Sequence, residues 1–153
     1  MSTQTETQKD AAQSTRSTDQ SVDQLADELA FDVFARLCPS RLTLEHITGR
    51  WGTLVLAGLH NGPVRFNELR RRVDGVSEKM LSQTLHALER DGFVERTVQS
   101  TIPPRVEYSL TPQGQETAAL LARLVDHLEA AMPAIMVAQD RYDQAVSGPV
   151  SSP

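Results

Sequence analysis

The sequence predicts a mostly α-helical fold with one small β-hairpin, which places it in the α+β class. Apolar residues recur at helical spacing along most of the chain, and two short alternating segments lie between residues 93 and 110. Proline or glycine separates most of these segments. The chain has 153 residues, which is enough for one domain with a hydrophobic core of its own.

Composition limits the classes of protein that this chain could be. Hydrophobic residues make up 39% of it and the mean hydropathy is -0.34, which is typical of a soluble protein. No apolar run is long enough to cross a bilayer, and residues 1–20 lack the apolar core of a signal peptide. We therefore expect a cytoplasmic location and no membrane partner. The single cysteine, Cys38, excludes an internal disulfide framework.

Charge is spread unevenly along the chain. The net charge of -5 argues weakly against binding to nucleic acid. Residues 41–110, however, hold ten Lys or Arg against eight Asp or Glu, whereas both flanking parts are net negative. Because salt screens charges beyond roughly 10 Å, a local basic face matters more for phosphate contacts than the total.

The first part of the chain changes character near residue 21. Residues 1–20 are polar and predict a disordered tail. Residues 21–37 have apolar side chains on one helical face and predict an additional helix that ends before Pro39. Two shorter helices should follow, separated at Gly49, and four of their apolar residues should lie in the core: Leu42, Leu44, Ile47 and Trp51.

Two helices joined by a glycine turn follow, and the second carries the main candidate binding face of the chain. Residues 64–73 predict a short helix that ends at Asp74-Gly75, and Ser77 is a good N-cap for the next one. Leu81, Leu85 and Leu88 form its single apolar stripe, and Gly92 supplies a left-handed stop. The opposite face carries groups that can donate to bases or phosphates: Lys79, Ser82, Gln83, His86 and Arg90. An ordinary amphipathic helix also has such a face.

A hairpin and a long helix complete the pattern. Residues 93–97 and 105–110 predict two strands, and a hairpin directly after a helix-turn-helix is a winged-helix arrangement. Thr111 should cap a long apolar-striped helix, which we expect Pro133 to kink or split. The predicted organisation is therefore a tail (1–20), an N-terminal dimerisation helix (21–37), a winged helix-turn-helix domain (38–111), C-terminal dimerisation helices (112–146) and a frayed end (147–153).

Several motifs in a fixed order resemble a known family. They are Cys38-Pro39, GRW at 49–51, GPVRFNELRR at 62–71, VSEKMLSQTLHALERDGFVER at 76–96 and PPRVEYSLTPQG at 103–114. Over residues 38–127 the chain resembles the HxlR-type bacterial winged-helix regulators, which are similar in architecture to the MarR group. The resemblance implies a cytoplasmic, homodimeric, sequence-specific DNA-binding regulator, expected to be a repressor. His86 departs from the family pattern, in which Arg or Lys is common.

The resemblance gives expected roles to the polar residues. In a dimer, two Ser77 helices would enter successive major grooves of double-stranded DNA at a pseudo-palindromic operator. We expect base contacts from this helix through Lys79, Ser82, Gln83 and His86. Ser77, at its start, is also expected to be a DNA-binding residue. Backbone contacts are expected from Arg70, Arg71, Arg72 and Arg105. The alternatives are a solvated face for the helix and the Arg run, and a salt bridge to Glu107 or Glu95 for Arg105.

Apolar stripes on the flanking helices predict the dimer interface. Its expected residues are Leu25, Leu29, Val33, Leu121, Leu124, Val125 and Leu128. Two such faces could pack across a two-fold axis or against each other within one chain.

An effector could act at two places. Cys38 is the candidate sensor of an electrophile or oxidant, with Arg36 and Arg41 expected to lower its pKa. A buried structural role for this cysteine is the alternative. An apolar ligand between Phe34, Met132 and Met136 is a further possibility.

Other classes find less support in the sequence. It has no Gly-rich phosphate loop and no nucleophile elbow, so we expect no enzymatic activity and no cofactor. The four histidines show no metal-ligand spacing. The main competing interpretation is a winged-helix module that binds protein rather than DNA, which the acidic total charge favours.

Overall fold

The computed structural model describes residues 31–148, except for the side chains of residues 100 and 101. These residues form five helices and one three-stranded sheet. The elements are α1 (Pro39–Thr48), α2 (Gly52–Leu59), β1 (Val64–Arg65), α3 (Phe66–Arg72), α4 (Glu78–Arg90), β2 (Val94–Thr101), β3 (Pro104–Leu110) and α5 (Pro112–Val146). The chain divides into two compact units, residues 1–45 and 46–153, and the division falls within α1.

The described part of the first unit begins with turns. The predicted helix over 21–37 lies outside the described residues as far as residue 30, and from 31 to 37 the helix prediction is wrong. The Asp32 carboxylate accepts from the Phe34 amide at 2.9 Å, a local bond that competes with helix formation. Pro39 disfavours a helical residue before it but suits the first position of α1.

The core of the second unit surrounds α2. This helix is apolar on nearly all sides, and Val55, Leu56 and Leu59 are at most 1% exposed. Leu69 of α3 and the stripe of α4 pack in the same cluster. Ile47 and Trp51, predicted to lie in the core, are partly buried and pack against it. Leu42 and Leu44 are 52% and 43% exposed, so their assignment to the core is wrong.

The sheet contains the predicted hairpin and one further strand. Its order is β1-β3-β2 and every pair is antiparallel. The hairpin between β2 and β3 confirms the wing, and Tyr108 on its inner side is buried. The sequence did not predict β1, in which Val64 pairs with Tyr108. Together with α3 and α4 the sheet forms the winged helix-turn-helix fold.

The last helix begins as predicted and continues further than expected. The Thr111 hydroxyl accepts from the Gly114 amide at 3.0 Å, and Pro112 occupies the first turn. α5 then runs for 35 residues through Pro133, so the predicted split is wrong. Pro133 is exposed, so water can reach the carbonyl that loses its amide partner, and the alanines around it are strong helix formers. In the described part of the chain, no helix is both long and apolar enough for a membrane span.

Candidate nucleic-acid interface

Local bonds fix both ends of α4. The Ser77 hydroxyl accepts from the Met80 amide at 3.1 Å, which confirms the predicted N-cap. Gly92 has φ +81°, and its amide donates to Glu89 at 3.1 Å while the Phe93 amide donates to Leu88 at 2.9 Å. This pair of bonds is a Schellman motif and confirms the predicted glycine stop. The length and ends of α4 are therefore set by its own sequence.

One face of α4 is free to meet a partner. Leu81, Leu85 and Leu88 turn inward and are at most 1% exposed. The opposite side, called here the donor face, carries Lys79, Ser82, Gln83 and His86, and all four are exposed. None of these four side chains has a hydrogen bond or ion pair with another described residue. Their spacing of three and four residues puts them on one surface of the helix.

An open groove of about 720 Å³ lies between α3, α4 and the wing. Three arginines line it, Arg65, Arg71 and Arg105, together with Ser82 of the donor face. Two carboxylates, Glu68 and Glu78, also line it, so its charge is only modestly positive. We call this surface the arginine groove. Sequence reasoning missed Arg65, because β1 is only two residues long and pairs with a strand more than 40 residues away.

The three consecutive arginines of α3 have different surroundings. Arg71 lines the arginine groove. Arg70 lies 3.9 Å from the Glu78 carboxylate, a long and exposed ion pair of little energetic weight. Arg72 donates to the Gly58 carbonyl at 3.0 Å and so ties α3 to α2. Of the three, Arg71 is the best placed for a phosphate contact.

Arg105 is exposed on the wing. Glu107 accepts instead from the Gln99 side-chain amide at 2.9 Å. Among residues 31–148, Arg105 forms no ion pair, so the alternative of a salt bridge to Glu107 or Glu95 is not found there. Its guanidinium is available to an anion.

Cys38 is half-buried, and its sulfur lies 3.1 Å from the Ser40 hydroxyl. The hydrogen bond from the Ser40 side chain, aided by the Ser40 backbone amide, holds the pKa of the Cys38 thiol below its usual value. The expected contributions of Arg36 and Arg41 are not found. The Arg41 guanidinium is bonded to the Val33 and Phe34 carbonyls at 3.0 and 2.9 Å.

The residues predicted to form the dimer interface have mixed surroundings. Leu25 and Leu29 lie outside the described residues, Val33 is half-buried in the turns, and Val125 is half-buried on α5. Leu121 is 7% exposed and lies in the core of its own chain. Leu124 and Leu128 are 48% and 45% exposed.

The residues expected to line an apolar ligand site are all exposed: Phe34, Met132 and Met136. Within residues 31–148, no group of three or more His, Cys, Asp or Glu could hold a metal.

Comparisons with known proteins agree on one family. The HxlR-like helix-turn-helix family model matches residues 46–136. The uncharacterized HTH-type transcriptional regulator YtfH of Escherichia coli strain K12 is 49% identical over 109 residues, which cover 71% of this chain and 86% of that relative. The ytfH regulator from Salmonella typhimurium has a solved structure with a TM-score of 0.69 at 47% identity, covering 72% of this chain and 98% of that one. The oxidized form of the redox regulator HypR has a TM-score of 0.56 at 36% identity, covering 61% and 96%.

Proposed function

Because the chain belongs to the HxlR-like helix-turn-helix family, whose members are transcriptional regulators rather than enzymes, we propose that it binds a specific DNA operator in the cytoplasm. It does so as a homodimer, with residues 38–111 reading DNA and residues 112–146 joining the two chains. The observation that carries this proposal is the donor face of α4, whose four exposed polar side chains lack partners among the described residues.

The donor face suits base recognition in the major groove. A side-chain amide matches adenine with one donor and one acceptor, so Gln83 is the proposed reader of an A·T pair. Lys79 and His86 can donate to guanine, and Ser82 to either purine. Two copies of α4 would enter successive major grooves about 34–36 Å apart, on a pseudo-palindromic site.

The arginine groove suits the DNA backbone. Arg71 and Arg105 line this groove together with Ser82, and Arg65 adds a third guanidinium. Phosphate contacts position a protein on the duplex without reading sequence, and each one adds to the salt dependence of binding. Arg70 remains a weaker proposal for such a contact, and Arg72 is largely engaged with Gly58.

The exposed leucines of α5 support the homodimer. Leu124 and Leu128 are four residues apart, so they lie on one face of the helix, and Met132 continues that face. An apolar stripe in this position is best buried against the same stripe of a second copy across a two-fold axis. Leu121 lies in its own core, so the proposed interface begins one turn later.

DNA binding is tested with duplexes selected by the wild-type protein from a random library, measured by fluorescence anisotropy at two salt concentrations. We expect sequence-specific binding that weakens steeply with salt.

Gln83→Ala should weaken the binding free energy for the selected duplex by about 1–3 kcal/mol and relax the preference at one base position. Arg105→Ala should weaken selected and scrambled duplexes alike. The absence of salt-sensitive binding to any duplex would favour the alternative of a protein-interaction module.

We further propose that Cys38 makes the regulator responsive to oxidants or electrophiles. A half-buried thiol of lowered pKa has the thiolate character that such reactions need, and a redox regulator, HypR, is among the similar proteins. As the only cysteine in the sequence, it can be alkylated, form a mixed disulfide or bridge two subunits.

The response to thiol reagents is tested by adding diamide to the DNA complex. Diamide should release the wild-type protein and leave Cys38→Ser bound. If Cys38→Ser is released equally, Cys38 is not the sensor. If neither protein is released, the effector is a ligand that acts elsewhere, such as near Met132 and Met136.

A further inference from the structure

The C-terminal end of α4 is held by a side chain from α1. His46 Nδ1 lies 2.6 Å from Asp91 Oδ2, and these residues are 45 positions apart in sequence. Their side chains are 25% and 15% exposed, so the contact is largely shielded from water. Asp91 is the C-cap of α4, where the helix dipole disfavours a negative charge. The His46 imidazole, a hydrogen-bond donor from another element, offsets that cost.

His46 lies where the end of α1 is bonded to α2. It belongs to the last turn of α1, and the next residue, Ile47, accepts at its carbonyl from the Thr53 hydroxyl at 2.9 Å. Thr53 lies in α2, the helix at the centre of the core. His46 therefore lies between α4 and the helix at the centre of the core of the second unit.

A second element holds the same end of α4 from the start of α5. The Thr111 hydroxyl donates to the Gly92 carbonyl at 2.6 Å, and the Thr111 amide donates to the Phe93 carbonyl at 3.1 Å. We call residues 91–93 the joint. Gln83 lies eight residues from Asp91, or roughly 12 Å along the helix. A tilt of about 10° at the joint would thus move Gln83 by about 2 Å, well beyond the roughly 0.5 Å that a positioned contact tolerates.

We propose that His46 is a positioning residue for DNA recognition, which acts through Asp91 to set the angle at which α4 enters the major groove. The assignment rests on the proposed function. His46 need not touch DNA in this role. Loss of its bond to Asp91 frees the joint on one side and misplaces the donor face, while the phosphate-binding arginines keep their own positions.

Three substitutions at His46 separate positioning from general stability. His46→Asn keeps a nitrogen donor at the branch position that Nδ1 occupies. His46→Leu keeps similar bulk without a donor, and His46→Gln carries its amide one bond too far. His60→Leu is the matched control, because it removes a different half-buried histidine, which bonds to the Gln115 side chain at 3.1 Å rather than to a residue of the joint.

The first readout is the ratio of affinities for the selected duplex and a scrambled duplex of the same length. A variant that is merely less stable has less active protein for both duplexes, so its ratio does not change. We expect His46→Leu and His46→Gln to lower the ratio about tenfold, the order of one lost base contact, with scrambled-duplex affinity retained. His46→Asn should keep most of the wild-type ratio, and His60→Leu all of it.

The second readout is amide hydrogen exchange without DNA. We expect the amides of the joint to exchange faster in His46→Leu and at the wild-type rate in His46→Asn and His60→Leu. An unchanged affinity ratio, or unchanged exchange at the joint, in His46→Leu overturns the proposal. If the wild-type protein itself shows no sequence preference, the proposed function fails, while exchange still decides whether His46 holds the joint.

Discussion

The thiol of Cys38 owes its character to one neighbouring residue. The thiolate is the reactive form of cysteine, and the Ser40 hydroxyl stabilises it by donating a hydrogen bond. Ser40→Ala removes that donor, so the pKa of Cys38 should rise and less thiolate should be present at neutral pH. The rate of alkylation by iodoacetamide, followed by mass spectrometry across a pH series, should therefore have its inflection at higher pH than in the wild type.

Thr43→Ala is the control for this measurement. Thr43 also carries a hydroxyl near the start of α1, but it donates to the Pro39 carbonyl at 3.4 Å rather than to the sulfur. Its alkylation profile should match the wild type. Equal inflections in Ser40→Ala and the wild type would mean that Ser40 does not control the thiol.

Gly114 is required by a close approach of two backbones. A Cβ built at this position would lie 1.9 Å from the Phe93 carbonyl oxygen, and a backbone atom cannot move aside as a flexible side chain can. Gly114→Ala should therefore lower the free energy of unfolding by about 1–3 kcal/mol, as measured by urea denaturation. Gly148→Ala, whose Cβ would meet its nearest atom at 3.6 Å, should leave it unchanged. Equal stability of the two variants would contradict this account.

At the scale of elements, the N-cap of α4 contributes to stability independently of DNA. Ser77→Ala leaves the Met80 amide without its acceptor and should cost about 1 kcal/mol in the free energy of unfolding. Ser82→Ala is the matched control on the same helix, since Ser82 is exposed and makes no bond with a described residue. It should keep wild-type stability in urea but weaken binding to the selected duplex. A destabilised Ser82→Ala, or an unaffected Ser77→Ala, would reverse these assignments.

The elements that could be predicted from sequence are those whose ends are set by local bonds. Both ends of α4 and the start of α5 were predicted correctly, because Ser77, Gly92 and Thr111 act on amides and carbonyls within a few residues. The turns over 31–38 were missed, since a helical apolar pattern over 21–37 looked stronger than the local bond of Asp32. The effect of Pro133 was overestimated, because its exposed position and the alanines around it allow the helix to continue.

The candidate site was only partly predictable, because half of it depends on contacts between distant segments. The donor face follows from the periodicity of α4 alone. The arginine groove requires β1 to pair with β3, which brings Arg65 into the same groove as Arg105. Likewise, nothing local to Arg72 reveals that it reaches Gly58, and nothing near Asp91 reveals its bond to His46.

For the whole molecule, a net charge of -5 and a DNA-binding role are compatible. The chain concentrates positive charge in residues 41–110 and negative charge in the segments on either side. Within a Debye length of roughly 10 Å, a phosphate at the arginine groove interacts with three guanidinium groups and two carboxylates rather than with the average charge of the protein. Weak binding to scrambled duplexes and a strong dependence on α4 contacts are the expected consequences.

The proposed homodimer can be tested at the exposed apolar stripe of α5. Leu128 is 45% exposed on α5, so a charge there should not disturb the core of its own chain. In a symmetric dimer built on the stripe of Leu124, Leu128 and Met132, the Leu128→Glu substitution occurs in both chains and puts one carboxylate on each side of the two-fold axis. The two carboxylates repel each other and lose their hydration in the interface, so the dimer dissociation constant should rise at least tenfold, as measured by sedimentation velocity. Operator binding should also weaken, because a monomer contacts only one half-site.

Ala130→Glu is the control, because it adds the same charge at an exposed position two residues along, facing away from the stripe. The Ala130→Glu protein should remain dimeric. A dimeric Leu128→Glu protein would remove this face of α5 from the interface.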